Sequence, residues 1–598
     1  MQKGQVKQLF LLGMILCAAF EITSAPQVDA QSYDYVYSEV DSDTYIPSPS
    51  EARCRYTLTI KNVQAGALRS WTVTLHARPY STYFIETFDD TGNLTYEHVK
   101  RDMSSIQIKI NFRSPLNNGE TYRFTYKYTA KWSHNSYSWT TGWSTSRIIE
   151  KIKLRISVSD QMRIVSTYPA GMWSTNRKTA EAEATNTKSY YLLANYPPTT
   201  GKWSILVLLV EFADLRHKVS REQISTRIFH EVNSYLKEAS FGKISIAGDV
   251  TEWIALPGTV QSYNISAWGS LDQNRRRFEE DAIKAADNVV DYRNYDCVFI
   301  VTAGVYHQTV WAYSPTRMIP TNDNVAVERM TVQTEDTPWG TFAHEFGHQL
   351  GLPDLYDSAI AAKPGVYLEA AIYVGPYGLM SRSTQRPNML GWCKLTLNWI
   401  SNQNVELVNL EAEKTVKLHR LETLSEGRMI VKITVSAKQY YLVEVRERTG
   451  YDSVLPKGGV LVTYVDEMME GVKGSIRLID ANPSTETLDD APFDIGPGEN
   501  STFANVEKKV SVTLLEKGEG WYLVRVTRTL ADQKRQTATE ATTTSLTVTP
   551  SVSTATSLAA PTSEIAGTYV LLSLAVVVVV VTAAVAVSRR SRRAEVPV

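Results

Sequence analysis

Cysteine is scarce, with only Cys17, Cys54, Cys297 and Cys393 in 598 residues. Cys17 falls within an expected leader, so three would remain. An odd, sparse set of three excludes a disulfide framework and leaves stability to ordinary packed cores, with at most one bridge whose pairing stays open. A surplus of positive charge is also missing. Lysine plus arginine number 62 against 63 aspartate plus glutamate, for a formal charge of −1. Without a cationic excess to neutralise phosphates, nucleic acid is excluded as the main partner. No internal repeat of fixed period is present, so nothing suggests a solenoid or propeller array. At 43% hydrophobic and 21% charged residues, the composition excludes wholesale disorder, a collagen-like fibre and a polytopic membrane protein. The length leaves room for about three domains.

The two ends differ from the middle. Residues 1–30 carry Lys3 and Lys7, an uncharged run over 9–20 and then small residues, the order of a secretory signal peptide with cleavage after Ala30. A lipoprotein signal at Cys17 is the minor alternative, because Leu16 is bulky where that signal wants a small side chain. At the other end, 565–587 is an uncharged run rich in valine, followed at once by Arg589, Arg590, Arg592 and Arg593. Its length predicts one transmembrane helix, and the arginines predict a cytoplasmic tail over 588–598. The expected location is therefore the cell membrane, single-pass, with the large N-terminal part extracellular. Residues 530–564, rich in Ser and Thr, are expected to form an extended stalk. The sequons at Asn93, Asn264 and Asn500 are compatible with external exposure.

Between the ends the hydrophobic period changes twice. Short alternating runs at 55–61, 70–76, 105–112, 121–128 and 151–158 predict an antiparallel β-sandwich over 31–198. After Pro197, Pro198 and Gly201, continuous apolar runs at 203–212 and 296–301 read as strands buried on both faces. The helical spacing at 220–237 and 275–290 reads as amphipathic helices, so an α/β layer structure is expected over 199–400. Alternation resumes at 415–419, 429–435, 440–445, 459–465 and 521–527, predicting a second β-domain over 401–529.

The chemistry concentrates in the third helix of the middle region, where HEFGHQLGLPD occupies 344–354. His344 and His348 are four residues apart, about 40° around an α-helix, so both imidazoles can address one ion. Glu345 lies one step round, within reach of a water on that ion. With nine histidines in the chain, such a His-Glu-x-x-His string is expected by chance only about 0.007 times. Gly347 is a poor helix former that leaves space beside the ligands. Gly351 can end the helix in the left-handed region and return Asp354 as a third ligand. A glutamate elsewhere on the chain is the other reading, since the next histidine is His419. Met380, in Gly378-Leu379-Met380-Ser381, suggests a tight methionine turn beneath the metal; by itself it would be an ordinary core methionine.

The string HEFGHQLGLPDLYD with GLM at 378–380 resembles the immune inhibitor A family of secreted zinc metallopeptidases, a metzincin-like group. The likeness extends through ILVLLVEFAD, EASFGKISIAGDVTEW, YDCVFIVTAG and YYLVEVRERTGYDSVLPKGGVL, roughly residues 200–525. It implies one Zn²⁺ held by His344, His348 and Asp354, catalysis by Glu345 and a Met-turn at Met380. Members of that family often also hold structural Ca²⁺, for which Asp480, Asp489 and Asp490 are candidates, with solvated loop carboxylates as the favoured reading. The expected fold class is thus multidomain: a metzincin-like α/β catalytic domain flanked by an N-terminal β-sandwich and a C-terminal β-domain, with one C-terminal transmembrane helix.

The expected function is a membrane-anchored extracellular zinc endopeptidase acting on proteins or peptides through a metal-activated water, with Glu345 as general base. Tyr377, beside the turn, is a candidate extra donor to the oxyanion, with a packing role as its alternative. The competing reading is a surface structural or adhesion protein with an inactive peptidase-like domain; the intact His344, Glu345, His348 and Asp354 set speaks against it. The region over 31–198 could serve as a pro-domain, a substrate-binding module or a spacer.

Overall fold

Strict alternation of apolar and polar residues builds the first part of the chain. In the strand Glu51–Asn62, Cys54, Tyr56, Leu58 and Ile60 are buried while Arg53 and Arg55 face out, as a strand with one wet face requires. The computed structural model describes residues 35–529 apart from 77–80, 102–104, 133–135, 170–171, 173–176, 266–271, 307, 311, 362–370, 410–411 and 470–473. Here an eight-stranded and a three-stranded sheet enclose one core that includes Trp71, Ile108, Tyr126 and Trp143. One pairing departs from the antiparallel expectation: Tyr35–Ser48 runs parallel to Ser138–Val158. Parallel neighbours need a long crossover, and the intervening strands supply it.

The next sheet is buried on both faces. Gly201–Glu211, Ile244–Val250, Cys297–Thr302 and Ala326–Thr334 are mutually parallel, and Thr316–Pro320 is antiparallel to the last of them. Along Gly201–Glu211, Val207 and Leu209 enter one core and Leu206 and Leu208 the other. That explains an apolar run without alternation. On one side lies a helical stretch, Arg221–Thr226, Arg227–Val232 and Asn233–Ala239, whose middle turn is π-helical. It starts with a capping box between Ser220 and Gln223. The helix Asp272–Ala286 contributes Phe278, Ala282 and Ile283 to the opposite core.

The last part pairs a five-stranded with a four-stranded sheet. Val431, Val443 and Val460 face the four-stranded partner, while Ile430, Leu442 and Leu461 join the core beneath the middle sheet. Gln439–Arg446 is buried along almost its whole length, so this sheet is a shared wall and has no wet face there.

The expected fold class is corrected in two respects. The described chain is mainly β-sheet with few helices, and among the described residues no helix is long and apolar enough to cross a membrane. The physical reason is visible in the helices themselves. Asp272–Ala286 carries Asp272, Arg275, Arg276, Arg277, Glu279, Glu280, Asp281 and Lys284, and Trp339–Gln349 has 11 residues, about 16 Å against a bilayer core of about 30 Å. The expected single-pass location in the cell membrane, with its C-terminal helix as membrane partner, is corrected with it. The expected leader at 1–30, stalk at 530–564, helix at 565–587 and tail at 588–598 all lie outside the described residues.

A buried charge hub joins the C-terminal sheet to the segment 377–391. Arg446 is fully buried and donates to Asp452 at 2.9 and 2.8 Å, to Glu444 at 3.2 Å, to Glu422 at 3.3 Å and to the Tyr377 carbonyl at 3.0 Å. The carboxylates in turn accept backbone N–H groups of Gly391 and Asn388 at 2.8 and 2.9 Å. Burial, helped by the neighbouring Asp452, raises the Glu422 carboxyl above the usual carboxylate range, which eases the crowding of negative charge around Arg446. Removing one partner of such a group leaves unpaired buried charge. Arg446→Ala is therefore expected to lower unfolding free energy by about 3–5 kcal/mol, read from the shift of the urea midpoint.

Candidate metal centre and active site

The site helix Trp339–Gln349 follows the strand Ala326–Thr334 after a short turn and begins behind Pro338. Its two glycines serve close approach. A Cβ on Gly340 would fall 2.2 Å from the Ser383 carbonyl oxygen, and one on Gly347 would fall 2.6 Å from Met380 Sδ. Seven residues apart, they put one face of the helix directly on the segment that carries Met380. The propensity cost of about 1 kcal/mol per glycine is offset by that contact.

The helix ends in a Schellman arrangement. Leu352 N–H donates to the Gly347 carbonyl at 3.0 Å and Gly351 N–H to the His348 carbonyl at 2.8 Å, with Gly351 at φ 93°. The chain reverses there and carries Asp354 back toward the helix. Asp354 Oδ1 lies 3.1 Å from His344 Nε2 and 3.3 Å from His348 Nε2. One ligand atom from each of the three side chains lies within 4.8 Å of the others. Among the described residues this is the one such cluster of histidine, cysteine and carboxylate side chains, and no glutamate from elsewhere joins it.

Hydrogen bonds behind the rings set their tautomers. His344 Nδ1 faces the Leu379 carbonyl at 3.1 Å and His348 Nδ1 faces the Leu352 carbonyl at 2.8 Å. A carbonyl only accepts, so each Nδ1 carries the proton and each neutral ring presents a lone pair at Nε2. Both lone pairs then face a carboxylate oxygen, Asp354 Oδ1, which is buried and has no hydrogen-bond donor. Three electron-rich atoms turned on one point require a cation between them. Two imidazole nitrogens and one carboxylate oxygen, with His344 almost fully buried, are a donor set that suits a divalent metal. Without a metal a proton takes that place. Although burial opposes the charged ring, the Asp354 carboxylate outweighs it and raises His348 to about 9. Asp354 itself is held well below the usual carboxylate range, burial being overcome by the two histidines.

Glu345 is buried next to the pair, and its Oε2 accepts from Ser314 Oγ at 2.8 Å. The same hydroxyl lies 2.8 Å from the Glu345 carbonyl oxygen. Ser314 carries no sequence motif and could not have been singled out by pattern. Its flanks are anchored: Arg275 sits over the Tyr313 ring at 4.6 Å, and Arg317 pairs with Asp272 and with Glu279 at 2.5 Å. Tyr356, also not foreseen, stacks on the His344 ring with centroids 6.1 Å apart. Met380 is fully buried under Gly347, and its carbonyl accepts Leu355 N–H at 2.9 Å. Tyr377 is not placed as an oxyanion donor. Its ring is fully buried and its hydroxyl is engaged by the Asp489 carbonyl at 2.7 Å. Asp490 accepts from Asn482 at 2.7 Å and Thr485 at 2.9 Å, Asp480 accepts the Asn482 N–H at 2.9 Å, and Asp489 lies 3.5 Å from Arg382. The three acids thus have protein partners and are not brought together as a ligand cluster.

Residues 296–369, from the buried strand through the site helix to beyond Asp354, match the family profile described as immune inhibitor A peptidase M6, catalytic domain. This segment resembles the catalytic domain of the immune inhibitor A peptidases. Among curated proteins the chain is 25% identical to "Immune inhibitor A" of Bacillus thuringiensis subsp. alesti, over 27% of this chain and 34% of that protein. It is 30% identical to "Pre-pro-metalloprotease PrtV" of Vibrio cholerae serotype O1 (strain M66-2), over 20% of this chain and 14% of that protein. The chain thus spans about a third or less of the length of these relatives. Solved structures that align include a putative protease from Parabacteroides distasonis, with 12% identity, 28% of this chain, 41% of that one and a TM-score of 0.20. An M1 zinc metallopeptidase from Deinococcus radiodurans aligns with 10% identity, 59% of this chain, 70% of that one and a TM-score of 0.20. The family match carries the resemblance, and these weak structural likenesses add nothing to it.

The raised His348 pKa makes a prediction for the metal-free protein. The stabilisation from protonated His348 is fully present below about 6.5, its ordinary value, and is lost as pH rises through about 9. In excess chelator, the melting temperature of the parent relative to His348→Gln should therefore fall between these pH values. A difference that stays flat over that range would contradict the arrangement.

Proposed function

We propose that the protein is a zinc-dependent endopeptidase that hydrolyses peptide bonds in proteins, with His344, His348 and Asp354 as metal ligands and Glu345 as general base. The observation that carries this reading is the convergence of two Nε2 lone pairs and an unpartnered carboxylate oxygen beside Glu345. A zinc ion held there would act as a Lewis acid on the scissile carbonyl and bring the pKa of a water to about 7. Glu345 takes the proton of the attacking water and passes it to the leaving amine. Ser314 holds Oε2, which leaves Oε1 for that proton. The carbonyls of Leu379 and Leu352 hold the two rings in the tautomer the site needs. Met380 under Gly347 forms the floor of the site.

Glu345→Gln keeps the shape of the side chain and should retain zinc while lowering hydrolysis of casein by at least about a hundredfold. A variant as active as its parent would end this assignment. Chelation should abolish activity and added zinc restore it, with metal content measured in parallel. Ser314→Ala should lower kcat about fivefold, the worth of roughly 1 kcal/mol for one hydrogen bond. KM should stay unchanged, and Ser314→Thr, which keeps the hydroxyl, should remain near the parent.

A further inference from the structure

Two side chains that immediately precede strands of the N-terminal sheets enter the core beneath the site helix. Tyr137 and Val165 belong to the same buried cluster as Phe346, Leu350 and Met380. Val165 meets the chain where it reverses: a Cβ built on Gly351 would fall 2.8 Å from Val165 Cγ1 and 3.1 Å from its Cβ. The turn between His348 and Asp354 therefore rests directly on this side chain. Val165 is itself held on both sides of its backbone, its N–H donating to the Asn195 carbonyl at 2.7 Å and its carbonyl accepting from Arg177 at 2.9 Å.

Tyr137 reaches the same helix end by a second route. Its ring lies under the Arg329 guanidinium at 5.1 Å, and Arg329 Nη1 donates to the Gln349 carbonyl at 2.7 Å. That carbonyl is one of the orphan acceptors of the last helical turn, where a cation is doubly favourable. Tyr137 also packs on Trp203 at 5.8 Å, which meets Phe346 edge-on at 5.2 Å. Beside it, Ser136 and Ser138 both donate to Glu328 at 3.1 Å. The contact is buried and includes two charged side chains, Arg329 and Glu328.

We infer that the N-terminal sheets are a standing brace of the metal centre, in which Val165 and Tyr137 act as positioning residues for the Gly351 turn and, through it, for Asp354. This rests on the peptidase reading for its consequence in catalysis, although the brace itself is a packing statement. A rigid backing is needed because Asp354 stands outside the helix and owes its place to one turn. Outer partners of metal ligands typically control affinity by 10–100-fold. On this reading the N-terminal region is part of the packing that supports the metal centre.

The test uses the full chain. Zinc affinity is measured by competition with a chromophoric chelator, and hydrogen exchange of residues 349–355 is measured in the metal-free protein. Val165→Ala and Tyr137→Leu are expected to weaken zinc binding at least about tenfold and to speed exchange in that segment. Tyr137→Phe, which keeps the ring over Arg329, should match the parent. Leu58→Ala serves as the control, because Leu58 is fully buried in the N-terminal core and absent from the shared one; it should leave zinc affinity and local exchange unchanged. Parent-like zinc affinity and exchange in both Val165→Ala and Tyr137→Leu would overturn the brace, as would equal weakening by Leu58→Ala. A parent chain that binds no zinc would instead sink the peptidase reading, and the exchange of 349–355 would still decide the brace.

Discussion

The reversal of the chain at Gly351 is the constraint on which the site depends. Two histidines one turn apart on a helix define a direction but supply only two donors, and the third must come from outside the helix. Gly351 at φ 93° allows the helix to end at once and Asp354 to arrive 3.1–3.3 Å from both Nε2 atoms. An L side chain at this position would meet both an unfavourable backbone conformation and Val165. The local bend and the long-range packing thus select the same residue.

Around that turn the molecule is organised as layers that press on one short helix. The middle sheet lies on one side through Phe299, which stacks on Phe342 at 6.4 Å and approaches Phe346 at 6.0 Å. The Met380 segment closes against Gly340 and Gly347 and is tied by Arg446 to the C-terminal sheet. Tyr137 and Val165 reach in from beside strands of the N-terminal sheets. An eleven-residue helix has little stability of its own, so its precision comes from these neighbours.

Much of this was legible in pattern. The runs at 203–212 and 296–301 correspond to Gly201–Glu211 and Cys297–Thr302, because strands buried on both faces lose their alternation. The helix at 220–237 corresponds to the stretch 221–239, its start marked by Ser220. Other features were not legible. Alternation in 440–445 marked a strand but not that both of its faces are buried, since a second core behind a sheet leaves no mark in a local window. The parallel pairing of Tyr35–Ser48 with Ser138–Val158 is likewise a matter of topology and not of period. The expected fold class added one membrane-spanning helix to an α/β domain between two β-domains, whereas the described chain is chiefly sheet and no described helix is long and apolar enough to span a membrane.

By itself the sequence determined which side chains of the site helix stand together. Helical geometry fixes the angle between positions four apart, so His344 and His348 had to share a face, with Glu345 beside them. The glycine after the helix allowed, but did not compel, a return of the chain. Tertiary structure decided which carboxylate came back, that Ser314 meets Glu345, and that the Tyr377 hydroxyl turns to the Asp489 carbonyl. These are contacts between residues 31, 10 and 112 positions apart. The two longer ones depend on how separate elements pack, a quantity no local periodicity contains; Asp354 depends on a turn that Val165, beside a distant sheet, holds in place.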